Sequence, residues 1–344
     1  MSESKIDSAG GITINDIARE LNISPSTVSR ALNDSSKISE KTRNEVKAVA
    51  TRLGYQINQT ASALSKNKTN VLGVLLPRLN SHFFSKALSG IEAVAQAKGY
   101  RILICQSNDN RRQEDEMVKL LLASRVDGVV ACMAMDSSSG EHFNILVKNK
   151  IPVAMFDRVN FNIPGPKVVV DNYDGAYRAT EHLIQNGYRR IAHLAGSLSC
   201  KAFEERINGY KDALAKNGIA LESQMVLSCN LDEKDTREAF MHWMRMPAKP
   251  DAIFTASASS GLAICAMAKA MGISIPAELG IISFGSEPCH DLITPTLSSV
   301  DMPGSEMGKT ATEMLIEAIE NKTLTKSLIL TPIKLLVRNS SFRP

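Results

Sequence analysis

Residues 23–33 read Ile-Ser-Pro-Ser-Thr-Val-Ser-Arg-Ala-Leu-Asn, and this stretch decides how the N-terminal region folds. Ser24 is a typical helix N-cap, and Pro25 suits the first position of the helix that follows. Val28 and Leu32 recur at a helical spacing, whereas most positions between and around them are polar. The stretch therefore predicts a short helix with one apolar face turned towards a small core and one polar face turned outwards.

Two further helices are expected on either side of this one. Thr13 is an N-cap with Asp16 three residues later, and Ser39 caps a third helix with Thr42 on the same turn. The first helix, a turn at residues 22–24 and the second helix have the spacing of a helix-turn-helix, whose second helix enters the major groove of DNA. A plain three-helix bundle with a polar outer face would show the same pattern.

Composition and charge fit a soluble globular protein with a basic N-terminal region. The chain has 344 residues, enough for two or three domains, and its 44% of hydrophobic residues can build sizeable cores. The formal net charge is +4, and residues 11–70 alone hold nine Lys/Arg against five Asp/Glu. The basic excess therefore lies in the N-terminal region, where it would face phosphate. The polar N-terminus and the lack of a long apolar run predict neither a secretory signal nor a membrane span.

From Val71 onwards short β-rich apolar runs alternate with amphipathic helical stretches, such as residues 83–98. The runs are 71–76, 101–105, 128–132, 152–156, 168–170, 190–194, 252–255 and 280–284. This alternation predicts an α/β fold of doubly wound parallel sheets, and about 270 residues are enough for two similar lobes. A ligand would then lie beyond the carboxyl ends of the strands, in the cleft between the lobes.

The six cysteines are too widely spaced for a zinc knuckle or a redox pair, so reduced, mostly buried thiols in the cytoplasm are expected. The sequence contains neither a metal-ligand cluster, a nucleophile elbow nor a phosphate-binding glycine loop. We therefore expect neither an enzyme nor a cofactor. A periplasmic solute-binding protein would explain residues 70–344 but leaves the helix-turn-helix unexplained.

Several of these stretches resemble the lactose/galactose repressor (LacI/GalR) family of transcription regulators. They include Thr-Ile-Asn-Asp-Ile-Ala at 13–18, the stretch 23–33, Ile-Ser-Glu-Lys-Thr-Arg at 38–43 and Leu-Gly-Tyr at 53–55. The resemblance continues through most of the chain and implies four parts. They are a flexible tail (1–11), a helix-turn-helix headpiece (12–57), a hinge helix with linker (58–69) and a two-lobed sensor, like periplasmic sugar-binding proteins, that binds effector and dimerises (70–344).

The resemblance also implies which residues contact DNA. Leu64 would insert into the minor groove and open the central base step, and the alternative is an ordinary linker residue. Many members carry Arg two residues before this leucine, where this chain has Ser62, so one contact there is in doubt. The residues at matching DNA-contacting positions are Thr13, Ser24, Pro25, Ser26, Thr27, Ser29, Arg30, Asn33, Ser39, Thr42, Asn58, Ala61 and Leu64.

For the effector cleft the resemblance implies a set made of Ser81, His82, Phe83, Asp157, Arg206, Ser257 and Gly285. Arg206 would begin a helix and bond the ligand across the opening. Three of these assignments have a structural alternative. Phe83 would also suit the core, Asp157 a pair with Arg158 or a loop cap, and Arg206 a surface helix.

Two departures from the family bear on the ligand. Ser257-Ala258 stands where Asn-Asp is usual, and Gly285-Ser286 stands where an acidic residue commonly binds sugar hydroxyls. We therefore expect a sugar or sugar derivative, with a sugar acid as the hypothesis that the missing carboxylate favours. The expected protein is a homodimeric repressor, controlled allosterically by this effector, on a pseudo-palindromic operator. A corepressor-dependent regulator or an activator of the same family is the alternative.

Overall fold

The computed structural model describes residues 12–55, 68–137, 139–322 and 327–343. The chain forms two compact units, divided between Thr69 and Asn70. The expected tail and most of the expected hinge, including Asn58, Ala61 and Leu64, lie outside the described residues.

The first unit contains the three predicted helices, α1 (Ile14–Leu21), α2 (Pro25–Leu32) and α3 (Glu40–Arg52). The caps are those that the sequence predicts. The Asp16 carboxylate accepts a hydrogen bond from the Thr13 backbone N–H at 2.9 Å, and the Ser24 hydroxyl accepts one from the Thr27 N–H at 3.1 Å. Apolar side chains of all three helices form one small core, in which the fully buried residues include Ile17, Val28, Ala31 and Val46.

The turn between α1 and α2 depends on a residue in the left-handed region. Asn22 has a φ of 52°, a conformation that Asn tolerates better than most residues. The next N–H, that of Ile23, then bonds back to the Ala18 carbonyl at 3.0 Å. The turn therefore closes α1 and redirects the chain into α2 within three residues.

The second unit alternates strands and helices. Its described helices are α4 (His82–Ala97), α5 (Arg111–Ala123), α6 (Asn144–Lys148), α7 (Asn172–Gln185), α8 (Lys201–Lys216), α9 (Glu233–Arg245), α10 (Ala258–Ala270) and α11 (Gly304–Asn321). Its described strands are β1 (Val71–Leu76), β2 (Arg101–Gln106), β3 (Gly128–Ala131), β4 (Val153–Phe156), β5 (Lys167–Val170), β6 (Ile191–Ala195), β7 (Val226–Ser228), β8 (Ala252–Thr255), β9 (Gly280–Phe284), β10 (Ser298–Asp301), β11 (Leu328–Thr331) and β12 (Lys334–Leu336). Short 3₁₀ turns at Glu141–Phe143, Ser223–Met225 and Pro288–Asp291 join some of them.

The strands form two sheets, which confirms the two-lobed α/β fold. The first sheet has the order β11-β5-β4-β3-β1-β2 and is parallel throughout. The second has the order β12-β10-β9-β8-β6-β7 and is parallel except at one edge, where the β10–β12 pair is antiparallel. The chain passes between the lobes three times, from β5 to α7, from β10 to α11 and from β11 to β12.

The apolar runs predicted eight strands to within one residue at each end. They missed β7, β10, β11 and β12. Three of the four are outermost in their sheets, and β10 lies next to the edge strand β12. Strand β10 reads Ser-Ser-Val-Asp, so it lacks the apolar run that marks a central strand. Short or polar edge strands are specified mainly by their neighbours in the sheet, which a local pattern does not reveal.

The thiols follow the sequence expectation, since all six cysteines are free and four of them are buried. Among the described residues no helix is long and apolar enough to cross a membrane.

Helices α4 and α11 pack closely in the first lobe because glycines lie where they meet. A Cβ atom at Gly308 would lie 2.2 Å from the carbonyl oxygen of Ala87, and one at Gly90 would lie 2.2 Å from that of Ser305. Such distances are too short for any side chain, so the spacing of the two helices requires glycine at both positions.

Gly308→Ala should therefore destabilise the second unit by about 1–3 kcal/mol, because the two helices must separate to admit one methyl group. Urea unfolding followed by circular dichroism measures the loss. Glu317→Ala changes an exposed residue of the same helix and should stay within about 0.5 kcal/mol of the wild type. Equal stability of Gly308→Ala and Glu317→Ala would contradict the close-packing argument.

Candidate functional site

The outer face of α2 is polar and exposed. Val28 and Ala31 point into the core, whereas Ser26, Arg30 and Asn33 are exposed at positions i, i+4 and i+7, on one side of the helix. The Arg30 backbone carbonyl accepts the Ser35 N–H at 3.0 Å, but the Arg30 side chain makes neither an ion pair nor a hydrogen bond with the described part of the chain. Its guanidinium is therefore available to an external partner.

The first turn of α2 is fixed by hydroxyl groups. The Ser24 oxygen lies 2.8 Å from those of both Ser26 and Thr27, next to exposed Pro25. Ser29 is half-buried one turn later. A helix N-terminus with unpaired N–H groups and hydroxyls attracts anions, so this end of α2 suits a phosphate backbone.

The start of α3 repeats the arrangement. The hydroxyl oxygens of Ser39 and Thr42 lie 2.8 Å apart, and the Ser39 oxygen accepts the Thr42 N–H at 3.2 Å. Between the two helices, Lys47 holds Asp34 at 2.5 Å, and this contact lowers the pKa of the Asp34 carboxyl. The loop that joins α2 to α3 is thereby tied to α3.

In the second unit three of the expected cleft residues line one cavity of about 240 Å³, namely His82, Phe83 and Gly285. The other lining residues, which sequence reasoning did not assign, are Lys86, Ser286 and the segment 301–306. Phe83 is half-buried and lies 6.4 Å from the Phe156 ring, so it belongs both to the cavity wall and to the edge of the core.

Three of the predicted residues lie at the ends of regular elements, two directly before a helix and one directly after a strand. Ser81 precedes α4 and Ser257 precedes α10, where its hydroxyl lies 2.9 Å from that of Ser259. Gly285 follows β9 with a φ of +94°, which a side-chain-bearing residue rarely adopts. An acidic residue at this position would strain the backbone.

Arg206 differs from the expectation in two respects. Helix α8 begins at Lys201, so Arg206 lies in its second turn and not at its start. It is also 4% exposed, which rules out a surface role. Its guanidinium carbon lies 3.7 Å from the centre of the Phe284 ring, and its Nε donates to Asn172 Oδ1 at 2.9 Å. Burial lowers the pKa of Arg206 to about 10.

Asp157 directly follows β4, as expected, and is 7% exposed with a φ of 58°. Its Oδ2 lies 3.7 Å from Arg158 Nε and 3.7 Å from the Cys132 thiol, so the contact with Arg158 is long for a hydrogen bond. Its Oδ1 is buried and accepts no hydrogen bond from the described residues.

An ion cluster around Asp109 lies beside these residues and was missed in the sequence. The Asp109 carboxylate accepts from Arg158, from Arg78 at 2.9 Å and from the Met135 N–H at 3.1 Å. Burial alone would lower the pKa of Arg158, but Asp109 and other nearby acidic groups outweigh it and raise that pKa. Burial would raise the pKa of Asp109, but Arg158 and Arg78 outweigh burial and hold that pKa below its ordinary value.

This cluster lies where the two lobes touch. The Arg158 guanidinium carbon lies 5.6 Å from the Phe84 ring of the first lobe and 5.9 Å from the Phe203 ring of the second. Met135, held by Asp109, packs among apolar residues of the second lobe. Asp109 is 49 residues from Arg158, so a local sequence pattern does not reveal their pairing.

Two family models match the chain. Residues 13–58 match the bacterial regulatory proteins of the lacI family, and residues 69–339 match the periplasmic binding proteins and sugar binding domain of the LacI family. The chain belongs to the LacI family. It is therefore a transcription regulator with a DNA-binding helix-turn-helix domain and a sugar-binding type of sensor domain.

Relatives of LacI type match the chain over nearly its full length. Catabolite control protein A of Priestia megaterium is 28% identical and covers 96% of this chain and 99% of its own. The transcriptional repressor PurR of Vibrio campbellii is 27% identical, with 95% and 98% covered. The repressor CytR of Escherichia coli is also 27% identical, with 96% of each chain covered.

Solved structures agree on the LacI fold. The lac repressor dimer bound to operator and the anti-inducer ONPF has a TM-score of 0.84 at 22% identity, covering 97% of this chain and 100% of its own. The complex of the regulator CelR with cellobiose has a TM-score of 0.72 at 24% identity, covering 96% and 99%.

Removing the counter-ion of Arg158 should destabilise the sensor of this LacI-family protein. Asp109→Asn leaves a buried guanidinium poorly compensated, and we expect a loss of about 3 kcal/mol at pH 7. The pKa of Asp109 is lower in the folded state than in the unfolded chain. Its ionised carboxylate therefore stabilises the fold fully at a pH above the pKa of the unfolded chain. This stabilisation disappears as the pH falls through the pKa of the folded state. The difference in free energy of unfolding between Asp109→Asn and the wild type should therefore become smaller below about pH 4.

Urea unfolding at pH 7 and at pH 3.5 measures both effects. Asp115→Asn is the control, since Asp115 forms a surface pair with Lys119 and should cost less than about 1 kcal/mol. A constant difference between Asp109→Asn and wild type across this range would contradict the assignment of the ion cluster.

Proposed function

We propose that this LacI-family protein is a homodimeric cytoplasmic repressor that binds a pseudo-palindromic operator and is controlled by a small metabolite in the cleft between its lobes. The proposal assigns DNA reading to residues 12–57, the hinge to 58–69, and effector binding with dimerisation to 70–344. The exposed polar face of α2 is the observation that supports DNA binding. An arginine side chain on that face without a partner among the described residues does not stabilise the helical bundle, so it indicates an external partner.

In this proposal α2 lies in the major groove with its N-terminal end towards the bases. Ser26 and Arg30 face base edges, and Arg30 bonds guanine through two N–H groups. The N-termini of α2 and α3, with Ser24 and Ser39, hold the phosphate backbone on either side. Thr27, Ser29, Asn33 and Thr42 support these contacts, and Thr13 lies at the start of the neighbouring helix.

Dimerisation follows from what one headpiece can achieve. A single small reading head has limited affinity, whereas two heads on a two-fold axis read two half-sites of a palindrome. The lac repressor, which shares this fold, was solved as a dimer bound to operator. We propose the same arrangement here.

Control by the effector follows from linkage between the two lobes. The proposed ligand residues come from both lobes, with His82, Phe83 and Asp157 in the first and Arg206 and Gly285 in the second. A ligand that bonds both lobes favours one relative position of them over others. If that position favours one arrangement of the two headpieces, ligand and operator affect each other's binding.

Arg30→Ala should abolish sequence-specific DNA binding, because each dimer loses two bidentate contacts worth about 1–3 kcal/mol each. With a palindromic duplex selected in vitro by the wild-type protein, fluorescence anisotropy should show an affinity at least about 30-fold lower. Binding to random DNA should fall much less, since phosphate contacts supply most of it.

Arg52→Ala is the matched control for charge. Arg52 is exposed at the far end of α3 and pairs with Glu20, so its loss should change specific affinity by less than about threefold. Wild-type affinity of Arg30→Ala for the selected duplex would refute the role of α2.

The second test concerns linkage. A sugar or sugar derivative that binds the sensor should change the operator affinity by about 5–150-fold, and operator should change the affinity for that compound by the same factor. Anisotropy and calorimetry with the full chain measure the two sides. A compound that binds at the cleft with no effect in either direction would contradict allosteric control.

A further inference from the structure

The hydrogen bonds of Arg206 leave part of its guanidinium poorly satisfied. Nε donates to Asn172 Oδ1 at 2.9 Å, and Nη1 donates to the Ala256 carbonyl at 3.0 Å. Nη2 reaches only the Met302 sulfur, at 3.8 Å, and a thioether is a weak acceptor. Both oxygen acceptors are neutral, so Arg206 has hydrogen-bond partners within the described residues but no ion pair.

The charge of Arg206 is also less compensated than that of its neighbour Arg158. Both guanidinium groups are buried, with residue exposures of 4% and 8%. Arg158 contacts Asp109 directly, and its pKa is raised. Burial dominates at Arg206 and lowers its pKa to about 10, with Asp157 the largest opposing charge. A buried cation without a contacting anion is costly, and the cost falls when an anion binds to it.

Asp157 supplies the second recognition feature. Its Oδ1 accepts no hydrogen bond from the described residues, although the side chain is buried. An ionised carboxylate only accepts hydrogen bonds, so this oxygen can bind a hydrogen-bond donor of a ligand. Arg158 lies 3.7 Å from the same carboxylate and would repel an ammonium group, which favours an uncharged hydroxyl as the donor.

We propose that the effector is an anionic polyol, whose carboxylate or phosphate bonds Arg206 Nη2 in place of the Met302 sulfur and whose hydroxyl donates to Asp157 Oδ1. This inference rests on the proposed function, since it names the class of molecule that the same cleft binds.

The first test uses the wild-type full chain and pairs of compounds in which one member carries an anionic group and the other does not. Calorimetry and thermal shift compare hexuronates with their neutral uronamides, aldonates with the corresponding alditols, and hexose 6-phosphates with the free hexoses. At least one acid or phosphate should bind about 10–100-fold more tightly than its neutral partner, since a charge-assisted hydrogen bond in a buried site is worth about that factor. Binding confined to the acids identifies a carboxylate, and binding confined to the phosphates identifies a phosphoryl group.

The outcomes separate this inference from the proposed function. If neutral sugars bind and change operator affinity while no acid or phosphate binds, the anionic effector is overturned and metabolite control stands. If neither the anionic nor the neutral compounds bind while the operator is still recognised, the anionic effector and control by a sugar derivative are both overturned. DNA reading by α2 is unaffected in either case.

Arg206→Gln tests the contact itself, with the acid or phosphate that binds the wild-type protein most tightly in the first test. The variant should bind that anion at least about 10-fold more weakly, whereas its affinity for the neutral partner should change much less. Arg245→Gln is the control, because it removes the same charge from an exposed position of α9 and should leave binding unchanged. Circular dichroism checks that both variants fold. An unchanged preference for the anion in folded Arg206→Gln would overturn the proposal, and the wild-type comparison decides the ligand charge even if this variant does not fold.

Discussion

Parallel strands deliver their carboxyl ends to one edge of a sheet, and this constraint governs the whole sensor unit. Asp157 follows β4, Asn172 follows β5, Ala256 follows β8 and Met302 follows β10. These strands belong to two different sheets, yet Arg206 bonds the residues that follow three of them. The two carboxyl edges therefore meet at one place, and the residues that follow the strands become the walls of the cleft.

The same constraint explains which parts of the fold could be predicted from the sequence. Caps and helical spacing are local, so α1, α2 and α3 were placed almost to the residue. Central strands were also found, because each is a continuous apolar run. Strand β10 was not, since three of its four residues are polar, and the segment 301–306 that lines the cavity was missed with it.

Contacts within the cleft were less predictable than the positions that supply them. Resemblance pointed to Asp157 and Arg206, and the structure places both in buried positions near the lobe boundary. Their partners are distant in sequence, since Asn172, Ala256 and Met302 are 34, 50 and 96 residues from Arg206. A local pattern contains no information on pairs so far apart, so the burial of Arg206 and its lack of an ion pair required the three-dimensional structure.

The two arginines at the lobe boundary illustrate how one environment can serve structure and recognition. Arg158 is satisfied by Asp109 and lies between aromatic rings of both lobes, which suits a fixed contact. Arg206 has neutral oxygen acceptors and a weak contact with the sulfur of Met302, which lines the cavity, and this suits a contact that changes when ligand binds. Because Met302 belongs to the segment that crosses from β10 to α11, an anion that displaces its sulfur would act directly on a connection between the lobes. Ligand charge and lobe position would then be coupled through one side chain, which is the differential contact that allosteric control requires.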